Sequence, residues 1–244
     1  MFSTTLFLSD LHLSPRKPQL TRCFEAFCDG PARDADSVYI LGDLFDYWIG
    51  DDQLREQYYL DIARQLAKLE TVGVPIFIQH GNRDFLIGRR FARKAHATLL
   101  TDPHVFDLYG VRTVLSHGDI LCTNDTDYQA ARRFWRTPKR IKQYLALPYF
   151  VRRLIATLFR RRSVSKTRGK SGYQTNVNQE AVVACMLEYD AVRMIHGHTH
   201  RPLVYRFDLQ GHEHERIALP DWRTEGAYLE VSKAGCQILE INAE

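Results

Sequence analysis

The sequence contains few cysteines, and no two of them form a C-x-x-C pair. An odd number of cysteines without such pairs indicates neither a disulfide framework nor a zinc knuckle. This cysteine usage favours a reducing compartment. The five are Cys23, Cys28, Cys122, Cys185 and Cys236.

Long apolar runs are also missing. The longest, from Tyr144 to Val151, has eight residues and is interrupted by Pro148. A membrane-spanning helix needs about 20 apolar residues, and Met1 to Asp10 lacks the basic start and apolar stretch of a signal peptide. The sequence therefore predicts neither feature.

Acidic residues are absent from one long segment. Between Tyr128 and Gln179 there are 14 Lys and Arg and no Asp or Glu, so the net charge of +4 divides into +14 there and −10 in the other 192 residues. Such asymmetry indicates that the segment has a partner of its own. We call residues 128–175 the basic segment and predict that it is an insertion into a core formed by residues 1–127 and 176–244.

The chain does contain a regular succession of short apolar runs. Each is bounded by polar turns and rich in β-branched or aromatic residues, which predicts buried strands. The predicted strands are Thr5–Leu8, Val38–Leu41, Pro75–Ile78, Arg112–Leu115 and Ala191–Ile195, followed by strands near Leu203–Phe207, Arg216–Ala218, Ala227–Val231 and Cys236–Ile241. Helices are predicted over Gln19–Cys28, over Gln53–Val72 with Asp51 and Asp52 as its cap, and from after Asn176 to about Tyr189. This order indicates an α/β core with an antiparallel end.

Metal-type side chains follow the ends of five predicted strands. Ligands collect beyond the carboxyl ends of the strands in an open α/β sheet, so these side chains should converge. The candidate ligands are Asp10, His12, Asp43, Asn82, His117, His198 and His200. A mixed oxygen and nitrogen set suits Mn²⁺, Fe²⁺, Zn²⁺ or Co²⁺ better than Ca²⁺. Seven ligands are too many for one ion but fit two ions that share a carboxylate.

The motifs stand in the order D-x-H, G-D-x-x-D, G-N-R-D, a lone His and G-H-x-H, and in this the sequence resembles the calcineurin-like metallophosphoesterases. The resemblance covers essentially the whole chain outside the basic segment. It implies an α/β sandwich of two mixed β-sheets flanked by helices, here with a helical lid insertion. It assigns one metal to Asp10, His12, Asp43 and His200, and the other to Asp43, Asn82, His117 and His198. Asp43 would be the bridge.

Arg83 departs from the family pattern, which has His at this place in the third motif. The resemblance places Asn82, Arg83 and His198 at the reacting phosphoryl group as catalytic residues. Arg stays charged at any relevant pH and cannot donate a proton. A leaving phosphate needs its charge neutralised more than it needs a proton, so Arg83 favours a phosphoanhydride substrate over a monoester. The alternative is that Arg83 merely pairs with Asp84.

The basic segment interleaves aromatic and apolar residues with Arg and Lys. Around Phe150–Phe159 the apolar residues repeat at intervals of three and four, which is typical of a basic amphipathic helix. Because the segment falls between the fourth and fifth motifs, we predict a lid over the site that accepts a lipid tail and contacts an anionic membrane. Two alternatives stay open: a groove for single-stranded nucleic acid, and an ordinary helical hairpin with a solvated basic face.

Longer phrases are similar to one branch of this family. They include LSDLHL, YILGDLFDYWIGDD, HGNRDFL, GRRFA and IHGHTHRP. The resemblance implies attack by water on the UMP phosphorus of a UDP-linked diacyl sugar lipid, releasing UMP and the sugar 1-phosphate in lipid A biosynthesis. It further implies two Mn²⁺ per chain and a peripheral location on the cytoplasmic side of the bacterial inner membrane. The implied substrate contacts are Asn82, Arg83, Asp125, Ser163, Thr167, Lys170 and His198.

At two of the implied substrate contacts, the residue either differs from the branch or has a second possible role. Thr167 stands where the branch has Asn, and Asp125 would serve equally as the N-cap of a helix starting near Thr126. Two rival functions also remain: a metallophosphoesterase acting on nucleic acid or a cyclic nucleotide, and a degenerate scaffold that only binds. The presence of all seven ligand positions disfavours the scaffold.

Overall fold

The computed structural model describes residues 3–167 and 176–241, with the backbone alone for residues 159–167. Six strands form the first sheet, namely β1 (Thr4–Leu8), β2 (Ser37–Leu41), β3 (Ile76–Gln79), β4 (Ala97–Leu99), β10 (Gly226–Ser232) and β11 (Gly235–Ile241). Their order is β11-β10-β1-β2-β3-β4. The strands from β1 to β4 run parallel, whereas β10 and β11 pair antiparallel, so the sheet is mixed.

Five strands form the second sheet, namely β5 (His104–Leu108), β6 (Val111–Ser116), β7 (Arg193–His196), β8 (Leu203–Leu209) and β9 (His212–Ala218). Their order is β5-β6-β7-β9-β8. The three central strands β6, β7 and β9 are parallel and the two edge strands are antiparallel. The second sheet is therefore mixed as well.

The two sheets pack face to face through a shared apolar layer. Phe7 and Tyr39 from the first sheet join Leu115, Ile195 and Ile217 from the second in one buried cluster. The ring of Tyr39 stacks on Phe7, with ring centroids 5.1 Å apart. Strands buried on both faces read as continuous apolar runs, and this explains why they stood out in the sequence.

Helices cover the outer faces of the sandwich. The first sheet is covered by α1 (Pro18–Asp29), α2 (Gln57–Glu70) and α3 (Arg89–Lys94), whose apolar faces contribute to the largest buried cluster. The second sheet packs against α7 (Gln179–Glu188) in a smaller cluster. The predicted α/β sandwich of two mixed sheets flanked by helices is thus confirmed.

Between β6 and α7, the described residues form three α-helices, namely α4 (Thr126–Trp135), α5 (Pro138–Leu145) and α6 (Tyr149–Thr167). The segments that precede α4 and follow α6 lie next to each other at Leu121, Asn124 and Asn178. The Asn178 backbone amide donates to the Leu121 carbonyl at 2.9 Å, and the Asn178 side chain donates to Asn124 Oδ1 at 3.2 Å. In the part of the chain described here, no helix combines the length and the apolar character needed to cross a membrane.

Some elements differ from the sequence predictions. Strands β4 and β5 were not predicted, because β4 has only three residues and β5 carries the polar residues His104 and Asp107. The helix predicted over Gln53–Val72 is instead a 3₁₀ helix over Asp51–Arg55 followed by α2 from Gln57. The division of the chain into core and insertion stays a prediction.

Candidate metal centre

The candidate ligands lie in loops that follow the carboxyl ends of parallel strands. Asp10 and His12 follow β1, Asp43 follows β2 and Asn82 follows β3. In the second sheet, the loop after β6 carries the fourth ligand and the loop after β7 carries the last two; these are His117, His198 and His200. Parallel strands place their carboxyl ends at one edge, so five loops meet at the same end of the sandwich.

The backbone of this site adopts an unusual conformation. Five of the nine non-glycine residues with positive φ in the described chain are candidate ligands, with φ between 49° and 68°. They are Asp10, His12, Asp43, His198 and His200. Left-handed backbone is uncommon outside glycine and concentrates at functional sites, where surrounding contacts hold it. Here those contacts include hydrogen bonds from the Asp10 amide to the Gly42 carbonyl, 3.1 Å, and from the His12 amide to the Asp43 carbonyl, 2.9 Å.

Three side chains form the first group of possible ligands. His200 Nε2 lies 3.1 Å from Asp10 Oδ1, and His12 Nε2 lies 3.8 Å from the same oxygen. One ligand atom from each of Asp10, His12 and His200 lies within 4.8 Å of the other two. The other nitrogen of His12, Nδ1, faces Asp43 Oδ2 at 3.8 Å.

A second group lies on the other side of Asp43. The amide oxygen of Asn82 is 2.9 Å from His117 Nε2 and 2.9 Å from His198 Nδ1. His117 Nε2 is also 3.9 Å from Asp43 Oδ1. Oδ2 of Asp43 therefore faces the first group and Oδ1 faces the second, which is the arrangement expected of a bridging ligand. Asp10 also belongs to both clusters of nearby ligand atoms, so Asp43 is not the only residue in a central position.

The chemistry of these side chains fits divalent cations. Both ring nitrogens of His12 are buried and lack a hydrogen-bond partner among the described residues. Burial, reinforced by the charge of Arg83, holds the pKa of His12 well below its usual value, so the ring is neutral and can ligate a metal. Burial, together with the nearby Asp84 and Asp10, raises the pKa of Asp43 to about 7 although His117 opposes the rise. A bound cation would instead favour the ionised carboxylate.

Several neighbours fix the orientation of the ligands. The Leu41 carbonyl lies 2.8 Å from His117 Nδ1, and Asp221 Oδ2 lies 3.1 Å from His200 Nδ1. Such partners orient a metal-binding imidazole and increase its basicity. Asp221 was missed in the sequence, although it lies just beyond β9, where the same rule about strand ends would have found it.

Two glycines of the motifs are required by close approach. A Cβ atom on Gly81 would lie 2.1 Å from Asp43 Oδ1, and one on Gly197 would lie 1.9 Å from Ser9 Oγ. Contacts this short exclude any side chain without a shift of the ligand loops. Gly81, which precedes Asn82, and Gly197, which precedes His198, thus allow the ligand loops to approach each other.

Arg83 lies at the edge of the candidate ligands. Its Nη1 donates to Asp46 Oδ1 at 3.0 Å, and its Nε lies 3.5 Å from Asp43 Oδ2. Asp84 accepts hydrogen bonds from the backbone amides of Gly81, at 2.8 Å, and Asp43, at 3.3 Å. The alternative that Arg83 merely pairs with Asp84 is therefore wrong.

The predicted substrate contacts are distributed over three regions. Asn82, Arg83 and His198 lie at the candidate metal centre. Asp125 is the N-cap of α4, where its Oδ1 accepts from the Tyr128 amide at 3.1 Å, as the alternative interpretation predicted. Two further residues, Ser163 and Thr167, lie on α6. Lys170 lies outside the described residues.

The basic segment contributes less free charge than its composition suggests. Arg152 is buried and donates to the Ile49 carbonyl and to Asp52 Oδ2. Arg132 and Arg136 contact the buried carboxylate of Asp119. Arg152 therefore does not belong to a solvated basic face of α6, because the Asp52 carboxylate and the Ile49 carbonyl bind its guanidinium at the core.

The sequence of the chain matches a protein-family model, and the match agrees with the sandwich fold and the arrangement of the site. The calcineurin-like phosphoesterase family model matches residues 3–202, and the chain belongs to this family. The predicted family is thereby confirmed.

The chain is also similar to individual proteins. The chain is 44% identical over 240 residues to the UDP-2,3-diacylglucosamine hydrolase of Hahella chejuensis (strain KCTC 2396), covering 98% of each chain. It is 44% identical over 237 residues to the enzyme of the same name from Enterobacter sp. (strain 638), covering 97% of this chain and 98% of that one. The crystal structure of a dimetal phosphatase from Danio rerio shares the fold at a TM-score of 0.50 and 13% identity, covering 100% of this chain and 99% of that chain.

Proposed function

We propose that the protein hydrolyses the pyrophosphate bond of UDP-2,3-diacylglucosamine, giving UMP and 2,3-diacylglucosamine 1-phosphate. The observation that carries the proposal is the convergence of all seven candidate ligands at one end of the sandwich, around Asp10 and Asp43. The relatives named UDP-2,3-diacylglucosamine hydrolase align over nearly the whole chain and support the choice of substrate.

Two divalent ions, with Mn²⁺ as the metal, would be held by the seven ligands. One ion would take Asp10, His12, Asp43 and His200, and the other would take Asp43, Asn82, His117 and His198. When bound, such a pair supplies Lewis acidity and lowers the pKa of water at the site. The neutral ring of His12 and the crowded buried carboxylates support this assignment.

Arg83 supplies positive charge where the pyrophosphate would lie. Asp46 is buried and holds the guanidinium from one side at 3.0 Å, which aims Arg83 toward the candidate ligands. Because Arg83 cannot donate a proton, its role is to stabilise negative charge on the phosphoryl oxygens and on the leaving phosphate. A sugar 1-phosphate leaves with its charge neutralised and needs no protonated group at this position.

The acyl chains and the membrane would be met by the basic segment. Phe150, Leu154 and Leu158 lie four residues apart on α6 and are 73%, 61% and 51% exposed. Beside this apolar stripe lies Arg153, which is exposed as well. An exposed apolar stripe next to basic side chains suits the interface of an anionic membrane. We therefore place the protein at the cytoplasmic face of the inner membrane, with Ser163, Thr167 and Lys170 contributing to substrate binding.

The function is tested by measuring UMP release from UDP-2,3-diacylglucosamine in detergent micelles with Mn²⁺ present. The wild type should release UMP at a rate far above that of Asp43→Ala, which removes the central carboxylate. Equal rates for the two proteins would refute the proposal. In parallel, faster cleavage of single-stranded DNA or a cyclic nucleotide than of the lipid would favour the rival phosphodiesterase function.

A further inference from the structure

A buried carboxylate joins helix α4 to the loop that carries His117. Asp119, two residues further on, is fully buried. Its Oδ2 accepts three hydrogen bonds, from the Tyr128 hydroxyl at 2.5 Å, from Arg132 Nε at 2.8 Å and from Arg136 Nη2 at 2.9 Å. Tyr128 and Arg132 lie on α4, and Arg136 is its C-cap residue. One face of this helix is thus fixed to a single oxygen beside the candidate metal centre.

The same helix reaches a second ligand loop. Arg136 Nη2 also donates to the Gly81 carbonyl at 2.9 Å. Gly81 directly precedes Asn82, whose amide oxygen faces both His117 and His198. Arg136 therefore connects the loop of Asn82 to the loop of His117 through one guanidinium.

The network is well suited to fixing positions. Gln129 Nε2 donates to the Asp119 carbonyl at 2.7 Å, so α4 also contacts the backbone of this loop. Two guanidiniums and a phenol on one carboxylate oxygen form charge-assisted hydrogen bonds, which are short and directional. A buried carboxylate with several donors cannot rotate freely, so its loop is held as well.

We propose that Asp119, Arg132 and Arg136 are positioning residues that hold the loops of Asn82 and His117 in the geometry needed by the second metal ion. This inference rests on the proposed two-metal function and assigns a part of the basic segment to the metal centre. Partners that orient metal ligands typically change metal affinity by 10- to 100-fold. Among the described residues the network makes no hydrogen bond to Asp10, His12 or His200, so the site that these three would form with Asp43 should keep its affinity.

The inference is tested by titrating metal-free protein with Mn²⁺, following free Mn²⁺ by electron paramagnetic resonance. Arg136→Ala removes the contacts to both loops and should weaken the second Mn²⁺ site about tenfold, leaving the first unchanged. Arg132→Ala removes the contact to Asp119 alone and should have a smaller effect. Arg136→Lys keeps the charge and should recover part of the affinity. Arg133→Ala is the matched control, since Arg133 is exposed on the same helix, and both sites should bind as in the wild type.

Arg132 and Arg136 are each nearly one-fifth exposed, so these variants should fold, and thermal unfolding without metal checks that they do. Unchanged Mn²⁺ affinity in Arg136→Ala, with or without a lower melting temperature, would overturn the inference, because the network would then serve stability alone. Equal weakening of both ions would overturn it too. A wild-type chain that binds fewer than two Mn²⁺ would contradict the proposed function itself, and the inference with it.

Discussion

Arg152→Met should increase the fraction of molecules in which helix α6 is detached from the core, and the increase should be much larger than in Arg153→Met. The guanidinium of Arg152 is buried and bonds to the Ile49 carbonyl and the Asp52 carboxylate, both of which belong to the core. Hydrogen bonds to charged groups contribute about 1.5–3 kcal/mol each. Asp52 is 27% exposed and regains water when the pair breaks, so about 3 kcal/mol for both contacts is a reasonable total.

Arg153 provides a matched comparison on the same helix. Its side chain is 60% exposed and pairs with Glu56 at 3.7 Å, and such surface pairs contribute about 0–1 kcal/mol. A loss of 3 kcal/mol corresponds to a change of about 100-fold in an opening equilibrium, and a loss of 1 kcal/mol to about fivefold. The two variants, Arg152→Met and Arg153→Met, should therefore differ clearly.

Amide hydrogen exchange of peptides from residues 138–158 measures this opening. Arg152→Met should speed exchange by about 100-fold, while strands of the core keep their protection. Arg153→Met should remain within about fivefold of the wild type. The reasoning is refuted if the two variants exchange at the same rate, or if Arg152→Met retains wild-type protection.

Three further outcomes are expected. Arg83→Ala should lower kcat by about 10²–10³ because charge stabilisation is lost, and a loss no larger than that of Arg89→Ala, an exposed control on α3, would contradict this role. Asp221→Asn should weaken metal binding by about 10- to 100-fold, measured by Mn²⁺ titration, since His200 loses the carboxylate that orients it. Removing metal with a chelator should lower the melting temperature by roughly 5–10 °C, because ligand at a hundred times its Kd stabilises by about 2.7 kcal/mol. An unchanged melting temperature, or unchanged affinity in Asp221→Asn, would speak against a metal centre at these residues.

The candidate ligands could be found in the sequence because their positions follow from strand topology alone. Asp10, Asp43 and Asn82 each come directly after a buried strand, and parallel strands bring such residues to one edge. The residues themselves converge as expected, although the role of each as a ligand stays a prediction. The family is confirmed, and the fold that the family implied is confirmed with it.

Contacts between distant segments could not be predicted in the same way. Asp51 was expected to cap the helix that follows it, but it accepts hydrogen bonds from the backbone amides of Gly88, at 2.8 Å, and Arg90, at 2.8 Å. The backbone amides in the first turn of α3 have no acceptor within the helix, and its N-cap residue, Gly88, has no side chain to cap them. The carboxylate of Asp51, from another loop, supplies the acceptor. The burial of Arg152 is a similar case, because its partner, Asp52, lies 100 residues earlier.

The contact between the segments on either side of α4, α5 and α6 has an evolutionary consequence. Asn124 and Asn178 touch, and the Asn178 amide is bonded to Leu121, so the two ends of the intervening stretch are held together whatever lies between them. A stretch with fixed, adjacent ends can change in length without moving β6 or β7, provided that it keeps Arg132 and Arg136, which contact Asp119 in the loop of His117. Changes in length are therefore accommodated in the part of the stretch that follows Arg136, because they leave both the junction and these contacts in place.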